Sequence, residues 1–237
     1  MAILGIEMSS LTKKEILEHL RAFLDEPKFH RIATVNPEFL LLAEKNTAFR
    51  QSLLDADLRV ADGFGIILAG FFSGQRMGRF PGADLMEEII RISNGRGLSV
   101  YFAVRKDGLS SYGEVRAAIL KKYPNIKIFG RDLERSESRN WKVEIGNSAI
   151  VLCNFGVPDQ ELFLAELKEN GIESRLVMGV GGAFDYLTGK LRRAPRWMRA
   201  LGLEWLWRLI LQPRRLFRIW NAVVIFPIKI ICTKKGS

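Results

Sequence analysis

Three features of the sequence predict an α/β fold with a Rossmann-like, doubly wound and mostly parallel sheet that carries a C-terminal helical appendage. Short apolar runs alternate with amphipathic segments along residues 1–191, which is the order of strands and helices in a parallel sheet. Polar or glycine-rich segments follow the apolar runs, as tight strand-to-helix turns require. Residues 192–237 differ from the rest, because they combine large apolar side chains with the net positive charge of the chain.

Each predicted element corresponds to one such run. Strands are predicted at residues 31–35, 58–61, 99–103, 127–129, 149–154 and 174–180. Helices are predicted at residues 12–24, 37–45, 65–72, 83–92, 110–122 and 160–169, where apolar side chains recur at helical spacing. In the fourth helix, Leu85, Ile89 and Ile92 fall on one face. We therefore predict one α/β domain over residues 1–191, called the body, and a basic amphipathic segment over residues 192–237, called the appendage.

Composition limits the classes of protein to which the chain can belong. Its 237 residues, 48% of them hydrophobic, suffice for one large α/β domain with a buried core. The amino-terminal residues lack the basic start and long apolar run of a secretory signal, so we expect a cytoplasmic protein. Two cysteines, Cys153 and Cys232, and two histidines give no zinc-binding cluster. We expect no disulfide, no structural metal and no cofactor.

The appendage carries the net charge of the whole protein. Eleven Arg and Lys side chains stand against one acid, Glu204, and their sum of +10 equals the net charge of the entire chain. Large aromatic side chains lie among these charges: Trp197, Trp205, Trp207, Phe217 and Trp220. This combination suits an anionic membrane surface, because apolar groups enter the acyl region while Arg and Lys meet lipid phosphates. We expect the appendage to dock on the membrane as a peripheral element.

Other interpretations of the appendage stay open. Basic segments with aromatic side chains also suit nucleic acids, but they are rarely this rich in Leu, Ile and Val, so we expect no nucleic-acid partner. Ordinary core helices that pack on the body are the second alternative. The most apolar stretch, residues 219–232, is interrupted by Asn221, Pro227 and Lys229 and is shorter than the roughly 20 residues that span a bilayer. It predicts a segment that lies on the membrane or dips into it.

Polar segments follow four of the predicted strands, at residues 34–38, 62–65, 154–161 and 179–185. In open parallel sheets the ligand site forms beyond the carboxyl ends of the strands, so these segments are the candidates for a site. Their glycines, Gly63, Gly65, Gly181 and Gly182, either allow tight turns or let the backbone approach a nucleotide diphosphate. The repetition of such turns at successive strands favours a nucleotide site.

Two charged residues in the body each have two interpretations. Asp62 directly follows a predicted strand, where it either caps the helix that begins near Gly65 or serves as a general base toward an acceptor hydroxyl. Arg79 lies in a loop of Gly and Pro residues. Its guanidinium is either a solvated charge or a ligand that holds a diphosphate through two parallel hydrogen bonds.

Taken together, these segments resemble the WecG/TagA/CpsF family of bacterial glycosyltransferases over nearly the whole chain. The most specific part is residues 179–218, with Gly-Val-Gly-Gly-Ala-Phe-Asp at 179–185, Arg-Ala-Pro at 193–195 and Gly-Leu-Glu-Trp-Leu at 202–206. Upstream support comes from Thr34 and Asn36, from Ala-Asp-Gly at 61–63 and from Gln-Glu at 160–161.

The resemblance implies an inverting, metal-independent transferase. It would move an N-acetylmannosamine-type sugar from a UDP-sugar donor to an undecaprenyl-diphosphate-linked N-acetylglucosamine on the cytoplasmic face of the membrane, in teichoic acid, common antigen or capsule synthesis. A different UDP-hexose donor is the alternative within the family. We expect no Asp-x-Asp metal motif, so stabilisation of the departing UDP should fall to arginine.

The resemblance also assigns residues to the site. Asp62 becomes the candidate base, and Thr34, Asn36 and Arg79 join it as catalytic candidates. The substrate-binding candidates are Gly63, Gly65, Gly156, Pro158, Gln160, Gly181, Gly182, Phe184, Asp185, Arg208, Arg215 and Arg218. The last three arginines match family positions that meet UDP and the lipid diphosphate when the appendage closes over the site.

The chain departs from the family pattern at residues 104–108 and 130–134, which replace a glycine-rich turn and a histidine-glycine-aromatic stretch. Both are expected at the ligand edge of the sheet, so contacts to the donor should differ there.

Two rival functions come from other classes of protein. A nucleotide-binding oxidoreductase would carry a Gly-x-Gly-x-x-Gly motif after the first long strand, and this chain has no such motif there. A noncatalytic membrane-associated scaffold would not need Asp62. The oligomeric state stays open, a homo-oligomer included.

Overall fold

The computed structural model describes residues 1–72, 74–75, 77–134, 145–146 and 148–235, without the side chains of 233–235. Its centre is a six-stranded sheet in which all neighbouring strands are parallel. The strands in chain order are β1 Ala2–Ile3, β2 Ile6–Glu7, β3 His30–Val35, β4 Leu58–Ala61, β5 Val100–Arg105, β6 Ile128–Leu133, β7 Ile150–Cys153 and β8 Leu176–Gly179. The predicted α/β fold with a parallel sheet is confirmed.

Strand order places the ends of distant segments side by side. The sheet runs β4-β3-β8-β7-β5-β6, and β1 and β2 form a separate antiparallel hairpin. Strands β3 and β4 thus form one side of the sheet, and β5 and β6 form the other. Strands β7 and β8, which come last in the chain, lie between them. The carboxyl ends of β4, β3, β8 and β7 are therefore neighbours, which is where ligand sites form in sheets of this type.

Helices connect the strands and cover both faces of the sheet. Those of the body are α1 Lys13–Asp25, α2 Pro37–Ala43, α3 Thr47–Leu54, α4 Phe64–Phe72, α5 Gly82–Arg96, α6 Tyr112–Lys122, α7 Asp159–Glu169 and α8 Ala183–Leu187. Those of the appendage are α9 Arg196–Ala200, α10 Glu204–Leu211, α11 Leu216–Trp220 and α12 Phe226–Lys235, with a 3-10 turn at Pro213–Arg215 and a π-helical turn at Asn221–Ile225.

Local sequence explains why the first helix begins and packs where it does. Thr12 accepts a hydrogen bond from the backbone N–H of Glu15, whose carboxylate accepts the N–H of Thr12 in return. This reciprocal capping satisfies two backbone donors that the first turn leaves open. Ile16, Leu20 and Leu24, spaced by four residues, then form the face that is buried against the sheet.

The sheet is buried on both faces, so its strands are apolar along their whole length. Ile32, Phe102 and Leu152 belong to the core on one side. Ala33 and Val35 belong to a second core on the other side, and the neighbouring strands β5, β7 and β8 contribute to a third. Two covered faces are the property of a doubly wound sheet and explain why the strands read as continuous apolar runs.

The structure also corrects several expectations. The hairpin β1–β2 and the helices α3 and α8 were not predicted. Strands β5 and β6 continue to Arg105 and Leu133, so most of residues 130–134 form an edge strand instead of a loop at the ligand edge. Gly130 allows this, because it has a φ of +150° and a Cβ at this position would lie 2.3 Å from the carbonyl oxygen of Phe102.

The appendage has a buried and an exposed set of apolar side chains. Ala194, Met198 and Phe226 are buried, and Phe226 belongs to the core that contains Val35 and Ile66. The interpretation as packed core helices therefore holds for this set. The exposed set is Trp197, Leu201, Ile210, Leu211, Leu216, Phe217, Trp220, Val223, Ile225, Ile228 and Ile231. Among the described residues, no helix has the length and apolarity that a bilayer crossing needs.

Candidate active site

A cleft of about 610 Å³ opens at the carboxyl ends of the central strands, under the appendage. Its volume lies within the roughly 300–1,000 Å³ that is usual for small-molecule sites. The predicted site residues that line it are Thr34, Asn36, Asp62, Gly156, Gln160, Gly181, Gly182, Asp185, Arg208, Arg215 and Arg218. The fold thus brings together side chains from β3, from the ends of β4, β7 and β8, and from the appendage.

Asp62 is fixed at the end of β4 by three hydrogen bonds. Its backbone N–H donates to the carbonyl oxygen of Val35 at 2.9 Å, and its own carbonyl oxygen accepts from Nε of Arg79 at 2.8 Å. Its carboxylate Oδ1 accepts the backbone N–H of Gly82, the first residue of α5, at 3.1 Å. The side chain therefore bonds to the amino end of α5 and not to the helix near Gly65. One carboxylate oxygen, Oδ2, is left for chemistry in the cleft.

The surroundings of Asp62 change its acidity. Burial raises the pKa of the Asp62 carboxyl above its usual value, and the carboxylate of Glu204 acts in the same direction. The positive charges of Arg208 and Arg79 and the N–H of Gly82 oppose the rise. A carboxylate whose proton affinity is raised is a better proton acceptor, which is the property that a general base needs.

Thr34 and Asn36 come from the end of β3, directly beside Asp62. Asn36 caps α2, because its Oδ1 accepts the backbone N–H groups of Glu38 at 2.9 Å and of Phe39 at 3.2 Å. This orientation leaves the amide NH₂ as the end of the side chain that can donate to a ligand. Thr34 is buried, and its Oγ1 lies 3.1 Å from the place where a Cβ on Gly82 would stand. Gly82 thus lets α5 approach β3 closely.

Arg79 connects the body to the appendage. Besides its bond to the carbonyl oxygen of Asp62, its Nη1 donates to the carbonyl oxygen of Arg199 at 3.0 Å. Its Nη2 forms an ion pair with Glu204 at 3.1 Å, and both side chains are largely buried. The guanidinium is thus directed toward the appendage and does not line the cleft. Neither interpretation from sequence, a solvated charge or a diphosphate ligand, describes this arrangement.

Arg208 and Tyr186 form a second contact between appendage and body. Nε of Arg208 donates to the Tyr186 hydroxyl at 2.6 Å, and its guanidinium carbon lies 5.2 Å from the centre of the Tyr186 ring. Burial raises the pKa of the Tyr186 hydroxyl, so this group stays protonated at neutral pH. The bond fixes the Arg208 guanidinium at the inner wall of the cleft, within electrostatic reach of Asp62.

Arg215 and Arg218 differ in their partners. Arg218 forms two parallel hydrogen bonds with Glu38, at 2.7 and 2.8 Å. The guanidinium of Arg215 makes no hydrogen bond or ion pair with any other described residue, although the residue is partly buried. Burial and the like charges of Arg208 and Arg218 lower the pKa of Arg215. It stays charged at neutral pH because the ordinary pKa of arginine exceeds about 12. An anion in the cleft would relieve this repulsion.

The ends of β7 and β8 supply the opposite wall of the cleft. The Oε1 atom of the buried Gln160 accepts the backbone N–H of Gly181 at 3.2 Å, so Gln160 braces the turn after β8. Asp185 accepts a hydrogen bond from Ser110 at 2.8 Å. Gly156 and Gly181 have positive φ values, and a Cβ on Gly156 would meet no atom within 4 Å. These backbones border open space.

Four predicted substrate-binding positions lie elsewhere. Phe184 is fully buried and packs against Phe102 with ring centroids 5.6 Å apart, so it belongs to the core. Pro158 precedes α7 and does not line the cleft. Gly63 and Gly65 border a second cavity, and a Cβ on them would lie within 2.9 Å of the Pro37 ring. Their role is close packing against the start of α2.

The second cavity, called the groove, has a volume of about 270 Å³ and lies between α4 and the appendage. Its apolar walls are Phe64, Leu68, Trp205, Ile219, Val223 and Pro227. Its polar end shares Asn36, Asp62, Arg208, Arg215 and Arg218 with the cleft. Asp62 and the arginines therefore stand where a polar cleft and an apolar groove meet.

Three further residues of the cleft lie in segments that the sequence placed at the ligand edge, 104–108 and 154–161, and Tyr186 was not predicted at all. Arg105 and Asp107 form an ion pair at the rim of the cleft, and Asn154 accepts the backbone N–H of Arg105 at 2.7 Å. Asn154 directly follows β7, which is why the sequence analysis included it in the candidate segment 154–161. Tyr186 carried no signal in the sequence, because only the folded appendage brings Arg208 to its hydroxyl. The expectation that the chain has no Asp-x-Asp motif is wrong, because one begins at Asp55. It precedes β4 and so lies at the amino end of that strand, away from the cleft.

Comparison with known proteins agrees with these features. A model of the glycosyl transferase WecG/TagA/CpsF family matches residues 1–236. The chain is similar to the N-acetylglucosaminyldiphosphoundecaprenol N-acetyl-beta-D-mannosaminyltransferase of Staphylococcus aureus strain MRSA252, with 29% identity over 241 residues that cover 98% of this chain and 92% of the relative. The protein of the same description from strain NCTC 8325 / PS 47 is 29% identical over 244 residues, with the same coverage of both chains.

The raised pKa of Asp62 predicts how stability depends on pH. A folded-state pKa above the unfolded value, about 3.9, means that the folded protein binds more protons in this window, so stability falls as pH rises through it. Asp62→Asn keeps an oxygen that can accept the Gly82 N–H and removes the buried charge. We expect this variant to match the wild type in urea unfolding near pH 4 and to be at least as stable near pH 7. A variant that is less stable than the wild type only at neutral pH would contradict this account.

Proposed function

We propose that this chain, which belongs to the glycosyl transferase WecG/TagA/CpsF family, transfers an N-acetylmannosamine-type sugar from a UDP-sugar to a polyprenyl-diphosphate-linked N-acetylglucosamine. The similar Staphylococcus aureus proteins are described as acting on N-acetylglucosaminyldiphosphoundecaprenol. The observation that carries the proposal for this chain is the position of Asp62 and Arg215 where the cleft and the groove meet. A polar donor and an amphiphilic acceptor would meet at that junction.

The cleft suits a nucleotide diphosphate sugar. Arg208 and Arg215 supply positive charge on its appendage side, and glycine backbones border the opposite side. Arg215, which no described residue pairs with, is the guanidinium best placed to bind the diphosphate through charge-assisted hydrogen bonds. Arg218 is occupied by Glu38, so we assign it to holding α11 against the body, with phosphate binding only after that ion pair opens.

We propose that Asp62 is the general base of an inverting transfer. Its carboxylate takes the proton of the acceptor hydroxyl as that oxygen attacks the anomeric carbon on the face opposite the UDP. The bond between the anomeric carbon and the UDP oxygen breaks, and UDP leaves with its electron pair. Arg208 and Arg215 stabilise the charge that develops on the diphosphate. Thr34 and the amide of Asn36 orient the acceptor hydroxyl beside Asp62. This step needs no metal, because arginine supplies the positive charge.

The appendage is proposed to hold the enzyme at the cytoplasmic face of the membrane. Its exposed side chains include Trp197, Phe217 and Trp220, which suit the membrane interface. Its net charge of +10 would attract anionic lipids by about 1 kcal/mol per cation near the surface. Its arginines also line the cleft, so the same segment would dock the protein and complete the site.

The identity of the donor sugar is the finer part of this proposal. A different UDP-hexose is the second candidate, and one observation favours it. Arg105 and Asp107 line the cleft where the sequence departs from the family pattern. Their ion pair would present charge to a donor sugar at a place where the family pattern has a glycine-rich turn. A panel of UDP-sugars, with the product identified by mass spectrometry, separates the two candidates.

We expect Asp62→Asn to lower turnover by at least about 10²-fold, because general acid–base help is typically worth 10²–10⁴-fold. UDP affinity should be nearly unchanged, since the arginines and glycine backbones that bind the diphosphate stay in place. Steady-state kinetics on a water-soluble acceptor analogue, with UDP binding by calorimetry, would measure both. Asp57→Asn, at the amino end of β4 and therefore at the other end of the strand from Asp62, is the matched control and should keep its turnover. A loss below threefold for Asp62→Asn would remove it from the role of base.

Activity is expected to survive excess EDTA. Arg208 and Arg215 supply the positive charge at the diphosphate, and the described residues contain no cluster of three or more His, Cys, Asp or Glu side chains. The transfer rate should be equal in EDTA and in Mg²⁺ or Mn²⁺ after dialysis against chelator. A strict requirement for a divalent ion would show that arginine does not supply this charge alone.

Deletion of residues 192–237 should release the protein from anionic vesicles and also stop transfer to a water-soluble acceptor analogue. Arg215→Ala should spare vesicle binding, where one charge in ten matters little, and lower turnover by about 10-fold or more through the lost hydrogen bonds to the diphosphate. Arg214→Ala removes a guanidinium at the neighbouring position. Its turnover, compared with that of Arg215→Ala, shows whether the loss depends on which of the two arginines is removed. Full activity of the truncated body on the soluble analogue would reduce the appendage to an anchor.

A further inference from the structure

Helix α4, in the body, exposes an apolar face, and only part of this face lines the groove. Phe64, Leu68 and Phe71 are spaced by four and three residues, so they lie on one side of the helix. Phe72 adjoins them, and its ring meets that of Phe71 at 6.1 Å between centroids. All four side chains are exposed, Phe71 by 71%. The opposite side, with Ile66, Ala69 and Gly70, is buried in the body.

The sequence around this face carries no charge. Between Asp62 and Arg76 the chain contains no Asp, Glu, Lys or Arg. A surface helix of a soluble protein normally carries charged side chains on its exposed side. Large apolar side chains that stay exposed without charges mark a surface that meets another apolar phase.

The appendage lies directly against α4. A Cβ on Gly65 would stand 3.6 Å from the Phe226 ring and 3.7 Å from the carbonyl oxygen of Ala222. On the other side, a Cβ on Gly202 would overlap the Phe64 ring at 2.5 Å. The exposed face of α4 is thus continuous with the appendage, whose own exposed set includes Trp220 and Ile228.

We propose that α4 is a second membrane-inserting element, which enters the acyl region beside the appendage. This inference rests on the membrane docking of the appendage that the proposed function contains. The distribution of charge favours a lipid bilayer as the partner of this face, because the uncharged face adjoins a segment of net charge +10 that anionic lipid attracts. The contacts at Gly65 and Gly202 fix α4 to that segment, so the two would meet the bilayer together.

Insertion of both elements would open the groove into the membrane. The groove lies between them, with Phe64 and Leu68 on the α4 side and Ile219, Val223 and Pro227 on the appendage side. Its polar end reaches Asp62 and the arginines. A lipid-linked acceptor could then place its diphosphate at the arginines while its hydrocarbon chain stays in apolar surroundings. If the appendage alone were inserted, one wall of the groove would face water.

The test uses the full-length double variant Phe71→Ser/Phe72→Ser, because neither side chain lines the cleft or the groove. The control is Phe129→Ser, which removes an aromatic side chain with 53% exposure from the opposite edge strand β6. Vesicles contain phosphatidylglycerol and phosphatidylcholine, and binding is measured by co-sedimentation. Unchanged urea midpoints would establish that both variants are folded.

We expect the double variant to bind vesicles about 10–100-fold more weakly, since each buried aromatic contributes about one tenfold step in affinity. The control should bind like the wild type. Transfer to a water-soluble acceptor analogue should be unchanged in both variants, whereas transfer to a long-chain acceptor in vesicles should fall only in the double variant. A fluorophore attached through Phe71→Cys, in a Cys232→Ser background, should shift its emission to the blue on vesicles, and the same label at position 129 should not.

Each contrary outcome has a distinct meaning. If the wild type binds the vesicles and the double variant binds them equally well, the inference is wrong and the proposed docking of the appendage stands. If the wild type itself does not bind the vesicles, both are wrong. If the double variant binds vesicles normally and instead changes the mass of the protein in vesicle-free solution by sedimentation, the α4 face contacts a second copy of the chain and the inference is overturned.

Discussion

The guanidinium of Arg79 is the connection on which the arrangement of the site depends. It bonds at once to the carbonyl oxygen of Asp62, to the carbonyl oxygen of Arg199 and to the carboxylate of Glu204. The first contact holds the end of β4, and the other two hold the appendage. Glu204 is the one acid of the appendage, so this ion pair orients a segment that is otherwise entirely basic. It directs one end of the segment to the body and leaves Arg208 and Arg215 at the cleft.

The distribution of charge follows from this connection. The body has no net charge, since the +10 of the appendage accounts for the +10 of the chain. A diphosphate site built from the body alone would have only Arg105, which is paired with Asp107, as a guanidinium, besides backbone N–H groups. The appendage places guanidinium groups at the cleft beside the partly buried carboxylate of Asp62. Their positive charges favour the binding of anions, and none of them, in the described part of the chain, forms a direct ion pair with Asp62. The raised pKa of Asp62 shows that burial outweighs the attraction of the arginines.

The sequence predicts the central sheet well and the connection between body and appendage poorly. Strands β3, β4 and β7 were located because strands buried on both faces are continuous apolar runs. The resemblance to a family identified many of the residues that line the cleft, Asp62 and Arg208 among them. The pairing of Arg79 with Glu204 and that of Arg218 with Glu38 join residues more than 120 positions apart. No local pattern encodes such contacts, and the core position of Phe184 was hidden by its place in a family motif.

Asp62 and the appendage arginines are proposed to act in one reaction step. A double-mutant cycle tests this claim directly, with kcat/KM measured for Asp62→Asn, Arg215→Ala and the double variant on a water-soluble acceptor analogue, where membrane binding plays no part. Residues that act as a unit give non-additive losses. We expect the double variant to be about as slow as the slower single variant. Losses that multiply fully would contradict it, because Asp62 and Arg215 would then act independently.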